Sequence, residues 1–78
     1  MAEKSNFNYS KLRGRIKEIC GTQTVFAEAM GLSERSVSAK LNNNRWWTQT
    51  DMSIACEVLK LEETDIPHYF FVEVEEDE

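Results

Sequence analysis

Glu34, Arg35, Ser38, Ala39 and Asn42 fall on one side of a helical wheel. Together they offer a carboxylate, a guanidinium, a hydroxyl, a methyl group and an amide. That set matches the donors, acceptors and methyl groups displayed in the major groove of duplex DNA. An arginine such as Arg35 can donate two hydrogen bonds to guanine O6 and N7, a pair that gives about 1–3 kcal/mol of base discrimination. Glu34 can accept from a cytosine amino group, and it also suits the positive end of a helix dipole. Ser38 can donate or accept, and Ala39 can touch a thymine methyl. Gln23 can bond a phosphate or brace a side chain of this helix. Ser33 caps the helix and belongs to the same surface. Asn42, Asn43, Asn44 and Arg45 lead away toward the phosphate backbone, and Lys40 is placed with them. Plainer roles stay open: Glu34 as a stabiliser of the helix start, Arg35 as a solvated cation, the Asn run as a simple turn.

Two short helices must hold this face in place. The segment from Thr22 to Asn42 reads as a helix over Gln23 to Met30, a turn at Gly31, and a second helix from Glu34 to about Asn42. Gly31 suits the turn because it takes a positive φ without steric cost. Ala27 must be small where the second helix crosses the first. Phe26, Met30, Leu32, Val37 and Leu41 supply the apolar faces that fix the angle between them. This spacing predicts a helix-turn-helix.

The flanking chain supplies the rest of a small core. Ser10 is read as the cap of a first helix reaching about Cys20, with Leu12, Ile16, Ile19 and Cys20 inward. Gly14 costs that helix up to about 1 kcal/mol unless another backbone packs against it. A fourth helix begins near Gln49, capped by Thr48 or Thr50, with Asp51 in its first turn. Met52, Ala55, Cys56 and Leu59 share its apolar stripe. One further turn over Glu62 to Ile66 is expected to stop at Pro67. From Tyr69 to Glu75 the period changes, and Phe70, Val72 and Val74 alternate as in a strand. That strand must pair with Asn6 to Tyr9 or with a second subunit. Facing glutamates oppose the second choice, so the intrachain pairing is favoured. Trp47 is expected over the core, and Trp46 faces another way.

Length and charge bound the rest. The 78 residues predict one domain, with a helical core over about 10–66 and a strand plus acidic tail over 67–78. The net charge of −5 is unevenly spread. Residues 1–50 hold eight Lys or Arg against four acids, +4, whereas 51–78 hold Lys60 against ten acids, −9. The helix-turn-helix lies in the basic half, and a local field matters more at a DNA surface than the total. No apolar run approaches the ~20 residues of a membrane span, and the first residues lack a secretion signal. A cytoplasmic location is expected. Cys20 and Cys56 stand apart from other ligands, so no metal site is expected, and they read as buried thiols. His68 is solitary. No nucleophile–base pair or phosphate-cradling loop is present, which argues against an enzyme.

Gln23, Ala27, Gly31, Leu32, Ser33, Val37 and Asn42 together make the chain resemble the lambda-repressor-like family, also called the Cro/C1 or XRE-type helix-turn-helix. The resemblance covers about residues 10–66. Within the family, the chain looks most like short phage and prophage regulators that begin Tyr-Ser-Lys-Leu-Arg-Gly, here Tyr9 to Gly14, and end Tyr-Phe-Phe, here Tyr69 to Phe71. Many relatives have Gly where this chain has Asn43, so a different turn is expected there. The resemblance implies a mainly α protein, a compact bundle of four to five helices. It also implies double-stranded DNA as partner, a homodimer on a two-fold operator, and transcriptional repression more often than activation. No cofactor, small-molecule ligand or membrane partner is expected. The competing reading is a protein-interaction module that keeps the fold without tight DNA binding, favoured by the acidic tail and Phe71.

Overall fold

A computed structural model of the chain describes residues 7–74. The arm before Phe7 and the acidic end beyond Val74 lie outside the described residues. Among those described, five helices follow in order: α1 (Ser10–Cys20), α2 (Gln23–Met30), α3 (Glu34–Leu41), α4 (Gln49–Leu59) and, after a 3-10 turn over Glu63–Asp65, α5 (Ile66–Phe70). The protein is mainly helical, and no strand forms among the described residues.

Local chemistry starts each helix. Thr22, Ser33 and Thr48 sit in extended backbone, and their hydroxyls accept from the N–H groups of Val25, Ser36 and Asp51. At α4 the Asp51 carboxylate in turn accepts from the Thr48 N–H, completing a capping box. α1 differs from expectation. Ser10 is its first helical residue, and the Asn8 side chain accepts the Ser10 N–H at 2.9 Å instead.

α2, α3 and α4 stop in the same way. The N–H of Leu32 donates to Ala27 O and that of Gly31 to Glu28 O; Asn44 and Asn43 repeat the pair at α3, and Leu61 and Lys60 at α4. This double closure needs a left-handed residue at its centre. Gly31 (φ 78°), Asn43 (φ 64°) and Lys60 (φ 60°) fill it. Asn43 therefore makes the turn that glycine makes elsewhere, because asparagine tolerates the left-handed region better than other non-glycine residues.

The core lies where α1, α2 and α4 meet. Leu12, Phe26, Val37 and Leu59 are sealed from solvent, and Ala27 is 2% exposed. Val37 and Leu41 press α3 onto α2, the most extensive helix pairing among the described elements. An aromatic group closes one end: Trp47 stands edge-on to Phe70 at 5.0 Å and to Tyr9 at 6.2 Å. Gly14 has nothing within reach of a Cβ, so no close backbone contact explains it.

The C-terminal segment corrects two expectations. Pro67 does not stop a helix but sits in the first turn of α5, where its missing N–H is no loss. Tyr69 and Phe70 are consequently helical, and Phe70 is buried by the helix rather than by a sheet face. Among the described residues, what remains of the expected strand is a single antiparallel bridge between Phe7 and Glu73 and one bond from Asn8 N–H to Val72 O at 2.7 Å. The pairing is within the chain, against the segment leading into α1.

Candidate nucleic-acid interface

The turn at Gly31 and the Ser33 cap set the angle at which α3 leaves α2. Val37 and Leu41 occupy its inward side, and the opposite side is open. Gln23, Glu34, Arg35, Ser38, Ala39, Asn42 and Asn44 line one shallow groove of about 440 Å³. Seven residues singled out from the sequence thus share a surface, contributed by the start of α2, the whole of α3 and the loop after it. Glu34 and Arg35 are exposed, and Ser38 and Ala39 are half-buried. Arg35 has no ion pair or hydrogen bond to another described residue. Its fork of donors is available to a ligand.

The far end of the groove is braced. Arg13 of α1 donates through Nη2 to Asn42 Oδ1 at 2.9 Å and to Leu41 O at 3.1 Å. Asn42 Nδ2 in turn donates to Ser38 Oγ at 3.3 Å. A guanidinium at the last carbonyls of α3 complements both the unsatisfied acceptors and the negative end of the helix dipole. Arg15 does the same for α4, donating to Leu59 O at 3.0 Å and Lys60 O at 3.4 Å. The inward stripe of α1 read from the sequence leaves out both arginines and gives them no role. Nothing local reveals one, since the carbonyls that each one caps are distant in the chain; the local partner of Arg15, Glu18 at 3.4 Å, is on the exposed surface.

Four residues of the expected interface do not line the groove. Ser33 is exposed, but its hydroxyl already accepts from Ser36 N–H and donates to Ser36 Oγ, both at 3.1 Å. Arg45 is exposed in the loop beyond α3. The expectation for Asn43 is corrected: its side-chain oxygen accepts from Phe7 N–H and its amide donates to Phe7 O, both at 3.0 Å. It fastens the incoming chain instead of facing a phosphate. Lys40 is corrected more sharply. It is 7% exposed, its Nζ lies 2.8 Å from Asp51 Oδ2, and it also donates to Trp46 O at 3.0 Å. A phosphate could reach it only by dismantling that network. The sequence does carry the signal, because Val37, Lys40 and Leu41 lie on one stripe of α3.

Lys40 shapes the Asp51 carboxyl. Burial alone would raise its pKa. The hydrogen bond from Lys40, those from Thr48 and the lysine charge together outweigh burial, so the net shift is downward. Burial pushes both free thiols up, at half-buried Cys20 and at buried Cys56, where Asp65 and Glu63 add to the effect. Neither is an activated nucleophile. No group of His, Cys, Asp and Glu among the described residues could hold a metal ion. No helix among them is long and apolar enough to cross a membrane.

The family model described as protein of unknown function (DUF739) matches residues 5–73, which take in α1 to α5. The chain belongs to the DUF739 family. This DUF739 chain is similar to the modulator of repression (MOR) of the temperate bacteriophage TP901-1 from Lactococcus lactis, known from a solution structure. The two are 53% identical over 85% of this chain and 89% of that one, with a TM-score of 0.76. No curated protein matches. A phage regulatory setting for this DUF739 chain follows from that likeness.

Proposed function

We propose that the chain binds double-stranded DNA as a small phage-type transcriptional regulator, with α2, its turn and α3 acting as a helix-turn-helix of the lambda-repressor-like kind. The observation that carries this is the open groove in which Gln23, Glu34, Arg35, Ser38, Ala39, Asn42 and Asn44 meet. α3 lies in the major groove, its first turns at base edges. Arg35 reads a guanine, and Asn44 and Arg45 approach the backbone. Two chains on a two-fold site would supply the phosphate contacts that one chain lacks. The protein acts by binding rather than by catalysis, and repression is the favoured direction.

Selection from randomised duplexes, followed by mobility shifts, tests this. Arg35→Ala should weaken the selected site by about 1–3 kcal/mol and relax preference at one base pair. Selection that returns no preferred sequence removes the reading.

A second reading has its own support. The phage relative is a modulator of repression, and the C-terminal half of this chain is strongly acidic and exposes Phe71. On this reading the chain acts on a repressor protein and not on the operator. It predicts no salt-dependent mobility shift with DNA alone.

A further inference from the structure

A second depression lies on other residues altogether. α4 and the segment from Leu61 to Phe71 enclose about 760 Å³. Met52, Leu61, Ile66 and Phe71 give it an apolar lining, and Phe71 keeps 47% exposure. The charged residues that line it, Glu57 and Glu63, are both acidic and both exposed. Glu62 and Asp65 flank Glu63 in the same short turn, and among the described residues no Lys or Arg lines the depression.

We propose that this groove docks an amphipathic α-helix of another protein, one whose apolar stripe is bordered by Lys or Arg. Each alternative occupant fits worse. A peptide that adds a strand needs an unpaired backbone edge, and most of this groove's wall is helical, with Gln49 to Glu57 on α4 and Glu63 and Ile66 on the turns that follow. The chain's own end, Glu75-Glu-Asp-Glu78, brings more negative charge to an acidic border. A second copy meeting the groove face to face would set glutamates against glutamates. The basic helix of a second copy, α1, cannot offer its apolar stripe, because Leu12 and Ile16 are buried in their own core. A foreign helix brings a satisfied backbone, apolar anchors at i, i+3, i+4 and i+7, and the cations that two carboxylates beside an apolar cleft call for.

The inference does not rest on DNA binding, since the two sites share no residue. The test is a titration of the full, isotopically labelled chain followed by amide NMR. The probes are synthetic helical peptides of about 14 residues: a Leu/Lys amphipathic peptide, a Leu/Glu counterpart of identical pattern, and a scrambled Leu/Lys peptide. The Leu/Lys peptide should bind in fast or intermediate exchange, moving the signals of Met52, Glu57, Leu61, Ile66 and Phe71. The Leu/Glu and scrambled peptides should bind at least tenfold more weakly. The double variant Glu57→Lys, Glu63→Lys changes only exposed side chains and should keep its circular dichroism. It should lose the Leu/Lys peptide tenfold or more and gain the Leu/Glu peptide. Phe71→Ala should weaken the Leu/Lys peptide severalfold while leaving any DNA binding intact, whereas Arg35→Ala should do the reverse. Equal binding of all three peptides, indifference to the charge reversal, or shifts confined to α3 would each overturn the proposal.

Discussion

Replacing Lys40 by Met keeps the stem of the side chain and removes its charge, so it isolates what the buried ammonium does. The side chains of Lys40 and Asp51 are 9% and 15% exposed, and their atoms are 2.8 Å apart. Taking one partner from a buried pair costs about 3–5 kcal/mol, because the other charge stays desolvated and alone. Asp51 keeps some solvent and its bonds from Thr48, which places the expected cost near the lower bound, about 3 kcal/mol. Trp46 O loses its donor as well. A chain of this size is stable by roughly 4–12 kcal/mol, so the loss is a quarter of the total or more. Urea denaturation followed by tryptophan fluorescence reads it directly. With a slope of about 1 kcal/mol per molar, the midpoint should fall by about 3 M. The double variant Lys40→Met, Asp51→Asn should recover part of the loss, since a side-chain amide in place of the carboxylate can still accept from Thr48 without stranding a charge. The coupling should be about 1–3 kcal/mol. A cost under about 1 kcal/mol, or simple additivity of the two changes, would refute the argument. The same protein separates a brace from a phosphate contact. While folded, Lys40→Met should leave the salt dependence of any DNA binding unchanged, whereas a lost phosphate contact would lower the slope by about 1.

Two further outcomes follow from the same network and from the helix ends. The folded Asp51 carboxyl titrates below its unfolded value, so its contribution is complete above the ordinary Asp range of about 4 and fades as pH falls through the lower, folded value. Stability measured from about pH 6 down to about pH 2 should show this loss, and Asp51→Asn should remove that part of the acid sensitivity. Lys60 holds a left-handed conformation at the end of α4 with a side chain that disfavours it. Lys60→Gly should raise stability by about 1 kcal/mol, and a thermal midpoint that does not rise would show that Lys60 gains elsewhere what its backbone loses.

Where structure is fixed by neighbours in sequence, the chain can be read. Ser33 caps the helix assigned to it, Thr48 is the one of the two candidate threonines that caps α4, and Gly31 turns where a positive φ is required. The groove residues on α3, Glu34, Arg35, Ser38 and Ala39, are also legible, because a helical wheel with Val37 and Leu41 inward fixes what faces outward. Through-space chemistry is not legible. Lys40 reads as outward because its partner lies beyond a loop, although its position between Val37 and Leu41 on one stripe argues otherwise. Arg13 and Arg15 cap helices far from them in sequence. The end of α5, Tyr69 and Phe70, reads as the start of a strand because so short a stretch cannot separate a 3.6 period from alternation, and Pro67 reads as an end although its geometry equally allows a beginning.

The surplus of +4 in the first fifty residues overstates what the candidate interface holds. Lys40 is neutralised by Asp51, Arg15 is turned to the end of α4, and Arg13 reaches the groove only at its Asn42 edge. Among the described cations Arg35 alone lines the groove, with Glu34 beside it and Arg45 in the following loop. One chain therefore neutralises on the order of two to three phosphates, which sets a slope of about −2 to −3 in log affinity against log salt. A fourfold rise in salt should then weaken one chain on DNA by roughly 15–60-fold, and two chains bound together, with a slope of about −4 to −6, by roughly 250–4,000-fold. Mobility shifts at several salt concentrations, on the selected site and on its half, distinguish the cases. A slope of about −2 on both duplexes would remove the two-fold arrangement and leave single-chain binding. A slope near zero would remove the DNA reading itself, because a surface with this few cations has no other route to a duplex.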